Sequence, residues 1–363
     1  MAAYTAIDDP EAYFQTVLYT ANQTADTTIT LPGDTNMQPD LVWIKNRENS
    51  VKGHRLFDST RGVTKLLTSN NDGIEDTATE TLTAFTSDGF TLGDDVDGST
   101  YYGVNWETGD GMVAWCWKAG GSTASNTTGD ITTTVSVDTT AKFSIFTYTG
   151  TNVSGDTIGH SIGSVPHFWI IKRRSATADW AVYHHKNTAA PETDYLLLST
   201  TGATVDSTWW ADTAPTSTLI TLGNPAQVNQ GSSDTFVGYA WSEVQGFSKF
   251  GSYEGNNNAD GTFVYTGFRP ALVVVKAIDT TGPWLVVDNK RIESGSNFDN
   301  AVIFWNETTA EQTTNENYSL DLLSNGFKLR SADDWSNDPE TYIYAAFAEA
   351  PFVNSNGVPC NAR

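Results

Sequence analysis

One short motif occurs three times along this 363-residue chain. It consists of a proline, one variable residue, four apolar residues and a lysine, and its copies are Pro39–Lys45, Pro166–Lys172 and Pro270–Lys276. Consecutive apolar residues predict a strand that is buried on both faces. Proline is tolerated at the start of such a strand, where no ladder donor is needed. The motif therefore predicts one β-sheet scaffold that recurs three times.

Further landmarks follow each copy in the same order. The last is a strand in which heavy and light residues alternate, at Val113–Trp117, Val237–Trp241 and Ile343–Phe347. Alternation with period two is typical of a strand packed on one heavy face. We therefore predict an all-β fold of three tandem β-sandwich repeats, jelly-roll-like in type. The alternative is one large sandwich whose strands resemble one another by coincidence.

The landmarks also give domain boundaries. We assign an N-terminal arm (1–12), β repeat 1 (13–120), a linker (121–141), β repeat 2 (142–245), β repeat 3 (246–352) and a C-terminal tail (353–363). Within the linker, Ile131–Val137 has the alternative of adding an edge strand. The three repeats could be arranged as a pseudo-trimer or as a linear rod, and homo-oligomerisation is left open.

Composition restricts the partners. Lys and Arg number 20 and Asp and Glu 43, so the formal net charge is −23. Such a surface repels phosphate backbones and anionic lipid, which disfavours nucleic-acid and membrane binding. The N-terminus lacks the pattern of a secretory signal, and no apolar run approaches the roughly 18 residues of a membrane span. We expect a soluble chain made in a cytoplasm.

Motifs for catalysis are weak. Gly159–Gly163 matches the Gly-x-Ser-x-Gly nucleophile elbow, but no helix is predicted after it, so a glycine-rich connection is the better interpretation. The five histidines form no metal-ligand pattern, and we expect surface or half-buried positions for all of them: His54, His160, His167, His184 and His185. The sequence therefore favours a protein that is not an enzyme.

Aromatic residues in predicted loops are the candidates for binding. They are Tyr101, Tyr102, Trp106, Trp209, Trp210 and Trp335. Aromatic faces on loops stack on sugar rings and anchor protein interfaces, so a glycan or a protein is the expected ligand. The alternative is that these rings fold back and cap the ends of the sandwiches.

Acidic loops give a calcium hypothesis, and no other cofactor is expected. Asp94, Asp95 and Asp97 cluster in one loop, and Asn256–Gly261 forms a second. Carboxylate and amide oxygens are the ligands that Ca²⁺ prefers, but neither loop fits the twelve-residue calcium-binding pattern. Ordinary turns stabilised by Asn and Asp side chains are the alternative.

Several strings carry a family resemblance. GFSKFGSYEGN at 246–256, FVYTGFRPALVVVK at 263–276 and YIYAAFAEAPF at 342–352 resemble a domain abundant in virion proteins of marine and cyanobacterial bacteriophages. The resemblance implies a structural protein on the virion surface, assembled in the host cytoplasm. It implies a capsid decoration or a tail-fibre or adhesin component, with other virion proteins as partners. A host surface glycan is a further partner that the loop aromatics leave open. A carbohydrate-binding module and a polysaccharide-degrading enzyme are the alternative functions.

Overall fold

The computed structural model describes residues 4–96, 102–291, 298–299, 301–313, 318–332 and 335–360. These residues form antiparallel strands and three single turns of 3-10 helix, at Pro10–Ala12, Pro191–Thr193 and Thr208–Trp210. The prediction of an all-β fold built from sandwiched sheets is confirmed. The short turn at Pro10–Ala12 follows Asp9 and begins with a proline, whose fixed φ suits the first turn of a helix.

We call residues 13–120, 142–245 and 246–352 units 1, 2 and 3. Unit 1 contains β1 (Phe14–Thr20), β2 (Thr27–Thr30), β3 (Leu41–Asn46), β4 (Arg55–Asp58), β5 (Lys65–Leu66), β6 (Asp76–Thr77), β7 (Leu82–Thr86), β8 (Gly89–Leu92) and β9 (Gly111–Trp117). Before and within unit 2 lie β10 (Ala124–Asn126), β11 (Thr133–Asp138), β12 (Phe143–Thr149), β13 (Thr157–Gly159), β14 (Phe168–Arg173), β15 (Ala181–His184), β16 (Asp194–Leu197), β17 (Val205–Asp206), β18 (Leu219–Thr221) and β19 (Thr235–Trp241). Unit 3 contains β20 (Ser248–Glu254), β21 (Phe263–Tyr265), β22 (Phe268–Ala277), β23 (Leu285–Asp288), β24 (Phe298–Asp299), β25 (Ile303–Phe304), β26 (Leu320–Leu323), β27 (Gly326–Leu329) and β28 (Thr341–Pro351).

Each unit has an inner sheet that contains its proline-motif strand, and the three inner sheets share one strand order. The orders are β1-β9-β3-β4, then β12-β19-β14-β15-β16 inside a larger sheet, then β20-β28-β22-β23-β25. The register is also shared, because the first apolar residue of each motif pairs with the last heavy residue of the closing strand: Leu41 with Trp117, Phe168 with Trp241, and Leu272 with Phe347. The three motif copies thus occupy equivalent places, while division into three tandem domains stays a prediction.

The predicted linker is ordered and extends the second inner sheet. β10 pairs with β11 and β11 pairs with β12, which gives that sheet eight strands. The expected edge strand near Ile131–Val137 therefore exists as β11, but it lies inside the sheet because β10 covers its outer side.

The two faces of each inner sheet pack differently. In unit 1, Val42 and Ile44 lie in a core formed with the outer sheet β2-β8-β7. The alternate residues Leu41 and Trp43 belong to another cluster, which also contains Phe168 of unit 2 and Leu272 of unit 3. Successive side chains of a strand point to opposite faces, so one face covers the unit's own outer sheet and the other faces the neighbouring units.

Three equivalent hydrogen bonds link the units in a cycle. Trp180 of unit 2 donates from Nε1 to the Thr68 carbonyl of unit 1 (2.9 Å), and Trp284 of unit 3 donates to the Leu197 carbonyl of unit 2 (2.9 Å). In unit 1 the same position is His54, whose Nε2 lies 2.9 Å from the Phe304 carbonyl of unit 3. Each unit thus contacts both others, so the arrangement is a closed ring and not a rod.

The lysines that end the motif are buried inside this ring. Lys45, Lys172 and Lys276 have no exposed surface, and their ammonium groups donate to backbone carbonyls. Two of them reach across a junction between units, since Lys172 donates to the backbone carbonyl of Asp72 in unit 1 and Lys276 donates to that of Thr201 in unit 2. Burial lowers their pKa values, to about 7 for Lys45 and about 8 for the other two.

Candidate functional site

The paired tryptophans predicted as an exposed binding surface are buried. Trp209 stacks on Tyr195 with ring centroids 3.7 Å apart, and Trp210 donates from Nε1 to the Asp194 carbonyl at 2.9 Å. Both rings therefore fill the core of unit 2, as the capping alternative describes. The expectation that they are exposed was wrong because a 3-10 turn folds this loop back onto β16.

The remaining predicted aromatics are spread over two units. Tyr102 is buried and its hydroxyl donates a hydrogen bond to the Asp76 carboxylate (2.8 Å), so the expectation that it is exposed was also wrong. Trp106 is half-buried. Trp335 is 42% exposed and stacks on Tyr318 at 5.6 Å. Tyr101 lies outside the described residues. Among the described residues, Tyr102 and Trp106 of unit 1 and Trp335 of unit 3 do not form one surface.

The first predicted calcium loop is organised by backbone amides. The buried Asp95 carboxylate accepts hydrogen bonds from the amides of Tyr102 (3.0 Å), Val104 (2.6 Å) and Asn105 (3.1 Å). Burial raises the pKa of Asp95 despite these donors. Both carboxylate oxygens are therefore used by the loop itself. Asp94 is half-buried beside it, and Asp97 lies outside the described residues.

The second acidic loop, Asn256–Gly261, is a series of turns of the kind that Asn and Asp stabilise. The Asn256 side chain accepts from the Asn258 amide at 3.1 Å, and Asn258 accepts from the Asp260 amide at 2.9 Å. Asp260 also pairs with Lys328. Across the described ranges, no group of three or more His, Cys, Asp or Glu side chains is arranged to hold a metal ion. Calcium binding stays a prediction.

The serine of the elbow-like motif is held by an asparagine. Ser161 has a positive φ of 60°, and its hydroxyl accepts from the Asn126 amide at 2.8 Å. The neighbouring His160 accepts from the Ile162 amide and lies 3.3 Å from the Thr216 carbonyl, so its ring is bound to the backbone. Residues 160–167 contain no helix, in keeping with a loop connection.

Two histidines expected near the surface lie instead at unit junctions. His54 accepts from Trp43 at Nδ1 (3.0 Å) and so donates from Nε2 to unit 3. His184 accepts from the Lys186 amide at Nδ1 (3.1 Å) and lies 3.1 Å from the Tyr344 carbonyl of unit 3. Each ring needs one bare and one protonated nitrogen, which only neutral imidazole provides. Burial lowers the pKa of His184 to about 3.

This geometry predicts acid sensitivity. Because the folded pKa of His184 lies below its usual value of 6.5, the unfolded chain binds a proton between those values that the folded chain does not. Stability is therefore lost as pH falls from 6.5 towards 3. At pH 5 we expect His184 alone to lower the free energy of unfolding by about 2 kcal/mol relative to pH 7. His184→Gln should reduce the pH 7 to pH 5 difference in urea unfolding by that amount; an unchanged difference would contradict the assignment.

An open cavity of about 530 Å³ lies where unit 2 passes into unit 3. Its polar walls come from both sides of that connection, with His167 and Glu243 from unit 2 and Lys249 from β20. Tyr265 at the end of β21 and Tyr4 of the N-terminal arm complete it, and both rings are more than half exposed. The sequence did not predict this cavity, because the residues that line it come from segments far apart in the chain. The only sequence signal for a site here was the short connection between units 2 and 3.

Residues 9–351 match a family described as a domain of unknown function, DUF7483. The chain belongs to this family. This single match spans all three units. No curated protein and no solved structure matches the chain significantly. In the described part of this DUF7483 member, no helix has the length and hydrophobicity of a membrane span.

Proposed function

We propose that this chain is a non-enzymatic structural protein on the exterior of a bacteriophage particle, either a capsid decoration or a tail-fibre or adhesin component. The observation that carries the proposal is the closed ring of three inner sheets with equivalent strand orders. A single chain of this form joins three related inner sheets in a cycle. Such a body fits a three-fold or quasi-three-fold position of a symmetric assembly without needing three separate subunits.

The surface and the interior both support an exterior position. A net charge of −23 keeps the surface hydrated and repels other acidic bodies. The apolar cluster that the three units share is continuous and includes residues of all three inner sheets. A shared core of this kind opposes local opening, which is the property that a particle protein exposed to proteases requires. The resemblance of the sequence strings to virion proteins points in the same direction.

Localisation on purified particles tests the proposal. Particles from a culture that expresses the chain would be purified by density gradient, analysed by mass spectrometry and labelled with gold-conjugated antibody to the folded chain. We expect a fixed copy number per particle and label on the outside of intact particles. Recovery of the chain only from the soluble lysate, or label only after particles are disrupted, would overturn the exterior assignment.

A further inference from the structure

The cavity between units 2 and 3 is lined by residues from five separate segments of the chain. Gln245 and Gly246 of the connection between the two units line it, and the N-terminal arm is bound to this connection, since the Ala6 amide donates to the Gln245 carbonyl at 3.1 Å. Thr5 donates from its hydroxyl to the same carbonyl at 3.0 Å. Phe352 and Val353, near the C-terminal end, also line it. At about 530 Å³ the cavity is in the size range of small-molecule sites, roughly 300–1,000 Å³.

Two tyrosine rings stand at the mouth of the cavity. Tyr4 is 57% exposed and Tyr265 is 56% exposed. The backbone of Tyr265 is fixed by pairing with Gly326 of β27. Its ring lies beside Gly267, where an added Cβ would be 3.6 Å from the tyrosine hydroxyl. Both tyrosines are therefore accessible for stacking on another flat, weakly polar surface.

The polar groups of the cavity are held in defined states. The Glu243 amide donates to His167 Nδ1 at 3.0 Å, so the neutral ring carries its proton on Nε2 and is a donor there. Burial is the main cause that lowers the pKa of His167, in agreement with the neutral ring that this hydrogen bond requires. One Glu243 oxygen accepts from the Phe250 amide at 3.0 Å, which orients the carboxylate. The cavity thus offers a fixed acceptor and a fixed donor.

The charge balance of the cavity restricts its ligand. Lys249 supplies one ammonium and Glu243 one carboxylate, so the lining is close to neutral. A phosphorylated or sulfated ligand needs clustered cations, which this lining does not supply, and the net charge of −23 repels it further. A neutral sugar has hydroxyl groups that both donate and accept, together with flat C–H faces. Those properties match the carboxylate, the two donors and the two rings.

We propose that this cavity binds a neutral oligosaccharide. Tyr4 and Tyr265 stack on its sugar rings, Glu243 accepts hydrogen bonds from its hydroxyls, and His167 and Lys249 donate to it. The inference does not depend on the chain being a virion protein, because it rests on the cavity alone. If the chain is an exposed virion protein, this cavity would be the surface that recognises a host glycan.

The test measures binding of the full chain to cello-, malto-, xylo-, manno- and chito-oligosaccharides by isothermal titration calorimetry, with sulfated oligosaccharides as a comparison. We expect at least one neutral series to bind. Tyr265→Ala should weaken that binding about tenfold or more, whereas Tyr265→Phe, which keeps the ring, should bind nearly as the native chain does. Glu243→Gln should also weaken binding.

Matched controls separate the cavity from other causes. Trp335→Ala removes a 42% exposed aromatic ring that does not line the cavity, and it should leave binding unchanged. The urea midpoint of Tyr265→Ala should equal that of the native chain. Binding of only sulfated oligosaccharides, binding of none, or equal binding by Tyr265→Ala would each overturn the proposal. None of these outcomes depends on whether the chain is attached to a phage particle, so the proposed virion location is tested separately.

Discussion

Replacing Arg61 with methionine is expected to lower the free energy of unfolding by about 3–5 kcal/mol, because it leaves the Asp58 carboxylate buried without its counter-ion. Both side chains are fully buried, with Arg61 Nε 2.5 Å from Asp58 Oδ2. The same carboxylate oxygen accepts from the Tyr239 hydroxyl of unit 2 at 2.7 Å. Arg61 also contacts Glu75, which pairs with Arg174 of unit 2 at 2.7 Å. The pair therefore forms part of the junction between units 1 and 2.

The junction between units 3 and 1 has the same network at equivalent positions. Arg291 pairs with the buried Asp288, whose carboxylate accepts from Trp115 Nε1 at 2.9 Å, and Glu311 pairs with Arg47 of unit 1 at 2.7 Å. We therefore expect Arg291→Met to destabilise the chain as much as Arg61→Met does. The surface pair of Lys328 with the 79% exposed Asp260 provides the control, and Lys328→Met should cost no more than about 1 kcal/mol.

Urea unfolding of these variants at pH 7 measures the effect. Adding Asp58→Asn to Arg61→Met removes the unpaired charge, so the double variant should recover much of the lost stability. This recovery distinguishes an uncompensated carboxylate from a simple loss of packing. The prediction fails if Arg61→Met is as mild as Lys328→Met, or if Asp58→Asn makes the single variant worse.

The sheet scaffold was predictable because its signals are local. Proline followed by four apolar residues indicates a strand buried on both faces, and β3 is buried along its whole length. The alternation of Val113, Trp115 and Trp117 indicates one heavy face, and these three residues lie in the shared cluster. Such patterns depend only on the period of a strand. They do not say what covers each face, so the ring of units could not be distinguished from a rod.

The site was less predictable because it depends on how loops return to the sheets. Trp210 and Tyr265 both follow turn-rich sequence, yet the first has no exposed surface and the second is 56% exposed. A 3-10 turn directs Trp210 into unit 2, and nothing in its local sequence separates it from an exposed ring. The junction histidines His54 and His184 were misplaced for the same reason, since their partners belong to other units.

Replacing Trp43 with alanine is the second large effect, with an expected loss of about 3–5 kcal/mol from the cavity that it leaves. Trp43 is 1% exposed and stacks on Trp305 of unit 3 with ring centroids 4.1 Å apart. It also donates to His54 Nδ1, so the variant loses the hydrogen bond that fixes the His54 ring for its contact with unit 3. Trp335→Ala, at an exposed stacked tryptophan, is the matched control and should cost clearly less.

The Trp43→Ala variant also shows whether the three units unfold together as one body. Trp43 belongs to unit 1, but its cluster continues through Phe168 and Trp241 of unit 2 and Phe347 of unit 3. If this shared core couples the units, slow hydrogen exchange at β14 and β19 of unit 2 should accelerate together with exchange at β3 and β9. If the units are independent domains, faster exchange will be confined to unit 1. Because each inner sheet has one face covered by its neighbours, we expect the coupled result.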